Sequence, residues 1–239
     1  MQTRNIPYKS PDGKELIGFL ARPDKPSGAA VLICHAGPGL DEIERSFARR
    51  LAECGYVAFV CDYHGGGKPL GANMMEVLAP LLADPSLIRP TIKAGYDVLC
   101  GVDGVDKNRI AVTGYCFGGA AAFELGCSGA DVKAIIGFHS SLPTNHPADV
   151  KNIKGTVLML QGAADAMLTA ETRNAFEAMM EKSGVDWAMN VYGGALHAFT
   201  NPEADKLGFP GVAYQKTADE RSWRAMLDLL EEKLGNPAA

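Results

Sequence analysis

The sequence predicts an α/β protein in which a mostly parallel central sheet is flanked by helices. Short apolar runs alternate with longer amphipathic stretches along the chain, the pattern of strands joined by crossover helices. Several runs, among them AVLIC at Ala30–Cys34 and VAFVC at Val57–Cys61, are apolar throughout, as strands covered on both faces are. Glycine clusters at 37–39, 65–67 and 114–119 come directly after such runs, at the strand ends where open α/β sheets bind ligands.

Taken in order, the turn signal Pro11-Asp12-Gly13 introduces a strand over residues 16–21, expected antiparallel at the sheet edge. The run at 30–34 is the first buried strand. Residues 42–54 carry apolar positions at helical spacing, and Gly55 ends that helix. The strand at 57–61 leads into a glycine-rich loop over 64–71. Prolines at 80, 85 and 90 predict broken helical segments between 73 and 102. Strands follow at 110–113, 134–138, 157–160 and 187–191. Helices follow at 119–125, 170–182 and 219–234, and the tail over 236–239 is expected to fray.

The 239 residues suit one domain spanning 1–239. The composition, 47% hydrophobic and 21% charged, is that of an ordinary globular chain. A net charge of −5 with scattered basic residues argues against nucleic acid or anionic membranes as partners. The polar N-terminus lacks the apolar core of a signal peptide, and no apolar run approaches the ~20 residues that span a bilayer. The expectation is a cytoplasmic protein, a monomer or weak homodimer. Cys34, Cys54, Cys61, Cys100 and Cys127 sit in or beside apolar segments and read as small buried hydrophobes. With no CxxC pair or His/Cys ligand spacing, neither a metal nor another cofactor is expected.

The sixth cysteine is different. Gly114-Tyr-Cys116-Phe-Gly118-Gly119 stands between a predicted strand and a helix of small residues. A nucleophile elbow needs small residues around its nucleophile because the strand-to-helix turn is so tight. Cysteine suits the position, since a helix N-terminus and a neighbouring imidazolium both lower a thiol's pKa. In the α/β-hydrolase fold the nucleophile is followed in the chain by an acid and then a histidine. His197 is the histidine late enough for that order, and Asp165, just after the 157–160 strand, is the acid that could hold its tautomer. The backbone amides of Phe117 and Gly37 are the expected oxyanion donors; Ala36 is the neighbour with which Gly37 could be confused. His35, His64, Tyr115, His139 and Phe199 border the same rim and are candidates for the pocket lining. The short connection from His139 to Val157 leaves no room for a lid domain, so an open, shallow site is expected.

On the elbow at 114–119, Asp165 and the Gly-Ala-Leu-His-Ala-Phe segment at 194–199, the chain resembles the dienelactone hydrolase family. The similarity in element order runs from about residue 28 to the C-terminal helix. The resemblance implies a lidless α/β-hydrolase with a Cys-His-Asp triad, no cofactor and cytosolic carboxylic-ester hydrolase activity on a small ester or lactone. Ala36 stands where the founding enzymes carry a glutamate, and Thr200 and Asn201 where they carry a substrate-binding arginine. Other readings of the same residues are a thioesterase or acyl transferase, or a non-catalytic thiol redox sensor on a hydrolase scaffold.

Overall fold

The computed structural model describes residues 1–237. One eight-stranded sheet organises them, in the order β1-β2-β4-β3-β5-β6-β7-β8. The strands are β1 (Gln2–Lys9), β2 (Glu15–Arg22), β3 (Ala30–Cys34), β4 (Val57–Cys61), β5 (Ile110–Tyr115), β6 (Ala134–Phe138), β7 (Thr156–Gly162) and β8 (Trp187–Tyr192). From β4 to β8 every pairing is parallel; β1 and β2 add an antiparallel margin. This is the α/β-hydrolase architecture, with no lid domain among the described residues.

The polar, exposed β1 has no apolar alternation to announce it. It exists because β2 offers an unpaired edge, and it pairs with β2 along its whole length from Gln2↔Arg22 to Lys9↔Glu15. The 16–21 strand is therefore antiparallel as expected but is second from the edge. Pro7 is tolerated in β1 because an edge strand leaves one side unbonded.

Helices α1 (Glu42–Glu53) and α6 (Lys216–Leu234) pack on one face. On the other lie α2 (Met74–Ala83), α3 (Arg89–Cys100), α4 (Phe117–Cys127) and α5 (Ala170–Ser183). Central strands β3, β4, β5 and β6 are buried at every position, which is why β3, β4 and β6 read as continuous apolar runs. The 73–102 region is broken as its prolines predict, into α2, a 3₁₀ turn at Pro85–Ile88 and α3. Cys34, Cys61 and Cys127 are buried, whereas Cys54 and Cys100 are half-exposed at helix ends. Gly235 follows α6; residues 238–239, part of the tail expected to fray, lie outside the described residues.

Candidate active site

The parallel strands all deliver their C-terminal ends to one rim. Cys116 follows β5 with φ 56° and ψ −123°, a left-handed conformation that costs a non-glycine residue of order 1–3 kcal/mol and persists only where surroundings enforce it. The enforcement is visible. A Cβ at Gly114 would lie 1.9 Å from the Gly118 carbonyl oxygen, and one at Gly118 would lie 2.2 Å from that of Cys34. The elbow is thus folded against itself and against β3, and only glycine fits those contacts. Two other non-glycine residues with positive φ, His139 and Ala198, border the same cavity.

His197 and Asp165 meet Cys116 there. His197 Nδ1 lies 2.8 Å from Asp165 Oδ2, and Cys116 lines the same cavity, near enough for the thiol and the ring to shift each other's ionisation. Asp165, in the turn after β7, accepts the Met167 amide at 2.9 Å through its other oxygen. The segment carrying His197 is irregular but not free to move. It is pinned, with the His197 N–H donating to the Gly211 carbonyl and the Ala213 N–H donating to the His197 carbonyl. Rigid placement fixes the imidazole between sulfur and carboxylate.

Burial pushes the Cys116 thiol up, but the His197 ring and the amides of Phe117 and Gly37 outweigh it and hold the thiol below its ordinary pKa. Burial works against the His197 imidazolium, yet Asp165 and Cys116 raise its pKa. Both shifts favour a thiolate beside an imidazolium at neutral pH. The sulfur faces the two amides expected as oxyanion donors.

The loop that presents Gly37 is held from beneath. His64 Nε2 lies 3.0 Å from the Gly37 carbonyl oxygen, and Tyr63 donates its hydroxyl to the His35 carbonyl. Glu44, buried on α1, accepts the Ala36 amide at 3.1 Å and the Asp41 amide at 3.0 Å. Burial drives the Glu44 carboxyl above the usual range despite those amides. Burial also pushes His64 down to about 4, so it is a neutral ring whose Nε2–H donates to Gly37. Asp62 secures the next loop by accepting four amides, those of Ile17, His64, Gly65 and Gly67.

Of the five residues expected in the pocket lining, Tyr115 and His139 border the cavity. His35 and His64 do not: His35 is fully buried with its ring stacked 3.6 Å from Tyr63, and both serve the loop under the site. Phe199 is also fully buried, packed behind His139. The Tyr115 ring stacks between Phe47 and Phe138. His139 donates or accepts at Thr200 Oγ1, 2.8 Å away, and lies edge-on to His197.

Nor is the site shallow. A cavity of about 580 Å³ opens above Cys116, walled by α2 through Met74, Leu78 and Leu82 and by Leu207, Phe209 and Val212. These walls and Glu44 escaped the sequence reading. The capping-box signature Asp41-x-x-Glu44 was available for Glu44; no local signal marks the walls, which come from separate irregular segments. Among the described residues no group of three or more His, Cys, Asp or Glu could hold a metal ion, and no helix is long and apolar enough to cross a membrane.

Comparison with known proteins identifies the family and the fold. The crystal structure of the dienelactone hydrolase-like promiscuous phosphotriesterase P91, from metagenomic libraries, superposes with a TM-score of 0.92 at 33% identity, over 97% of this chain and 98% of that one. A Saccharolobus solfataricus protein provisionally named a carboxymethylenebutenolidase is 24% identical over 95% of this chain and 97% of its own. One from Yersinia pestis, named in the same way, is 25% identical over 90% of this chain and 83% of its own. The model of the dienelactone hydrolase family matches residues 16–234. The chain therefore belongs to the dienelactone hydrolase family and is a carboxylic ester hydrolase.

Proposed function

We propose that this ester or lactone hydrolase acts through a Cys116-His197-Asp165 triad and an acyl-enzyme intermediate. The observation that supports it best is the strained elbow at Cys116 sharing one cavity lining with Gly37, Phe117, His197 and Asp165, the last two 2.8 Å apart. The Cys116 thiolate attacks the carbonyl carbon, and the oxyanion that forms accepts hydrogen bonds from the two amides. The intermediate collapses, the C–O bond breaks, and the leaving alkoxide takes the proton of the His197 imidazolium. Neutral His197 then removes a proton from water as its oxygen attacks the thioester. Collapse of the second intermediate releases the carboxylic acid and restores the thiolate–imidazolium pair. Asp165 holds the ring in position and balances its charge throughout. Positioned acid–base chemistry of this kind contributes roughly 10²–10⁴-fold, and each oxyanion donor about 3–4 kcal/mol.

The same proposal puts the protein in the cytoplasm, where thiols stay reduced; all six cysteines are free. A second reading, turnover of phosphotriesters by the same thiolate, draws support from the activity named for P91.

The test is acylation itself. Rapid quenching with p-nitrophenyl acetate and peptide mass analysis should find one acetyl group on Cys116. Turnover that persists in Cys116→Ala would remove the cysteine from the reaction.

A further inference from the structure

The charged residues around the cavity are Asp41, Glu44 and Asp165; no lysine or arginine lines it. Asp165 is matched by the His197 imidazolium, and Glu44 is occupied by two amides. The one positive group at the floor is thus spoken for by the Cys116 thiolate and Asp165. Among the described residues no cation in the lining remains to pair with a carboxylate on a substrate.

Large apolar side chains stand exposed at the mouth. Met167 is 68% exposed, Phe209 64%, Leu207 50% and Leu82 48%, and all four line the opening. Inside, Leu78 reaches to 3.0 Å from where a Gly37 Cβ would stand, so apolar surface continues to within contact of the oxyanion loop. A cavity of this volume is within the range that encloses a drug-sized ligand, far more than an acetyl group needs. Exposed apolar side chains grouped around a pocket mark a ligand's apolar part.

We propose that the site selects uncharged esters bearing an extended apolar group, which lies along the α2 and 207–212 walls, and that it rejects esters carrying a carboxylate. The relatives' printed name denotes a lactone bearing a carboxymethylene group; this chain's cavity is built for the opposite charge class. The inference rests on the ester-hydrolase reading above and deepens it.

The experiment compares p-nitrophenyl acetate, p-nitrophenyl hexanoate and the mono-p-nitrophenyl ester of adipic acid, the last two matched in length. From acetate to hexanoate kcat/KM should rise at least about tenfold as methylenes are buried. The adipate monoester should fall below hexanoate by on the order of 100-fold, because its carboxylate must be desolvated without a partner. Phe209→Arg, which places a cation at the mouth, should narrow that ratio at least about tenfold by gaining on the adipate ester. If hexanoate and adipate esters are turned over equally by the native enzyme, the substrate class is wrong while the hydrolase reading stands. If none of the three is turned over, the hydrolase reading fails and the substrate class with it.

Discussion

The Gly37 carbonyl lies 3.0 Å from His64 Nε2, while the amide of the same residue faces the Cys116 sulfur. A neutral buried histidine thereby anchors the residue that carries a proposed oxyanion donor, through the neighbouring peptide unit. Glu44 does the same for the preceding residue through the Ala36 amide. The loop is organised by side chains from α1 and from the turn after β4, so its geometry can be altered without changing the triad.

Glu44→Gln replaces one of two accepting oxygens with an N–H₂ that confronts an amide donor. Leaving such a buried group unsatisfied costs about 1–3 kcal/mol, which should appear as a lower melting midpoint. The displaced loop should also lower kcat about tenfold, with KM changed less than threefold, on the scale of a partly lost oxyanion donor. Steady-state kinetics alongside thermal melts separate the two effects; unchanged kcat in a destabilised variant would reduce Glu44 to a helix cap.

Cys116→Ala should abolish p-nitrophenyl acetate hydrolysis and leave the melting midpoint nearly unchanged. Cys116 as a residue is only partly buried, and the strained φ is imposed by the glycines around it rather than by the sulfur. A wild-type rate in this variant is the result that ends the triad proposal.

The thiol of Cys116 is held below its ordinary pKa and His197 above its own. The ion pair is lost on the acid side as the thiolate gains a proton and on the alkaline side as the imidazolium loses one. Activity should therefore form a plateau through neutral pH, and iodoacetamide should label Cys116 at pH 7 at least about tenfold faster than free cysteine. His197→Ala should remove that excess reactivity. Equal labelling rates with and without the imidazole would show that the thiolate does not depend on it.

Asp165→Asn keeps the shape of the His197 contact but permits the wrong tautomer and removes the balancing charge. In the serine triad that change costs about 10⁴-fold in kcat; a thiolate that forms more readily should lose less, roughly 10²–10³-fold. Loss smaller than threefold, measured by burst and steady-state kinetics, would exclude Asp165 as the orienting group.

Gly118→Ala drives a methyl group to 2.2 Å from the Cys34 carbonyl oxygen and 2.4 Å from that of His35. Both contacts are backbone and cannot swing aside. Overpacking of this kind costs about 1–3 kcal/mol or more, and here it should both lower the melting midpoint and suppress activity. Gly129→Ala, with open space around it but φ +83°, is the control for backbone strain alone.

Much of this was legible locally. Strands β3, β4 and β6 stand where their uninterrupted apolar runs put them, because burial on both faces removes alternation and leaves a strong signal. The elbow was legible because its sterics demand glycine at fixed offsets from Cys116. By contrast β1 is polar and exposed, and its order comes from backbone pairing with β2, to which side chains contribute little. The pocket residues were harder still: His35, His64 and Phe199 are near the rim in sequence, but packing turns them beneath it or behind it.

Local patterns were enough for the layered α/β fold and for the elbow around Cys116, since periodicity and glycine sterics act over a few residues. Long-range packing set the pinning of His197 by residues 211–213, the anchoring of the Gly37 loop by Glu44 and His64, and a cavity of about 580 Å³ that has, among the described residues, no lysine or arginine in its lining. Those features arise where segments far apart in the chain come within hydrogen-bonding or van der Waals distance, and no local pattern encodes which distant side chain will fill a given space.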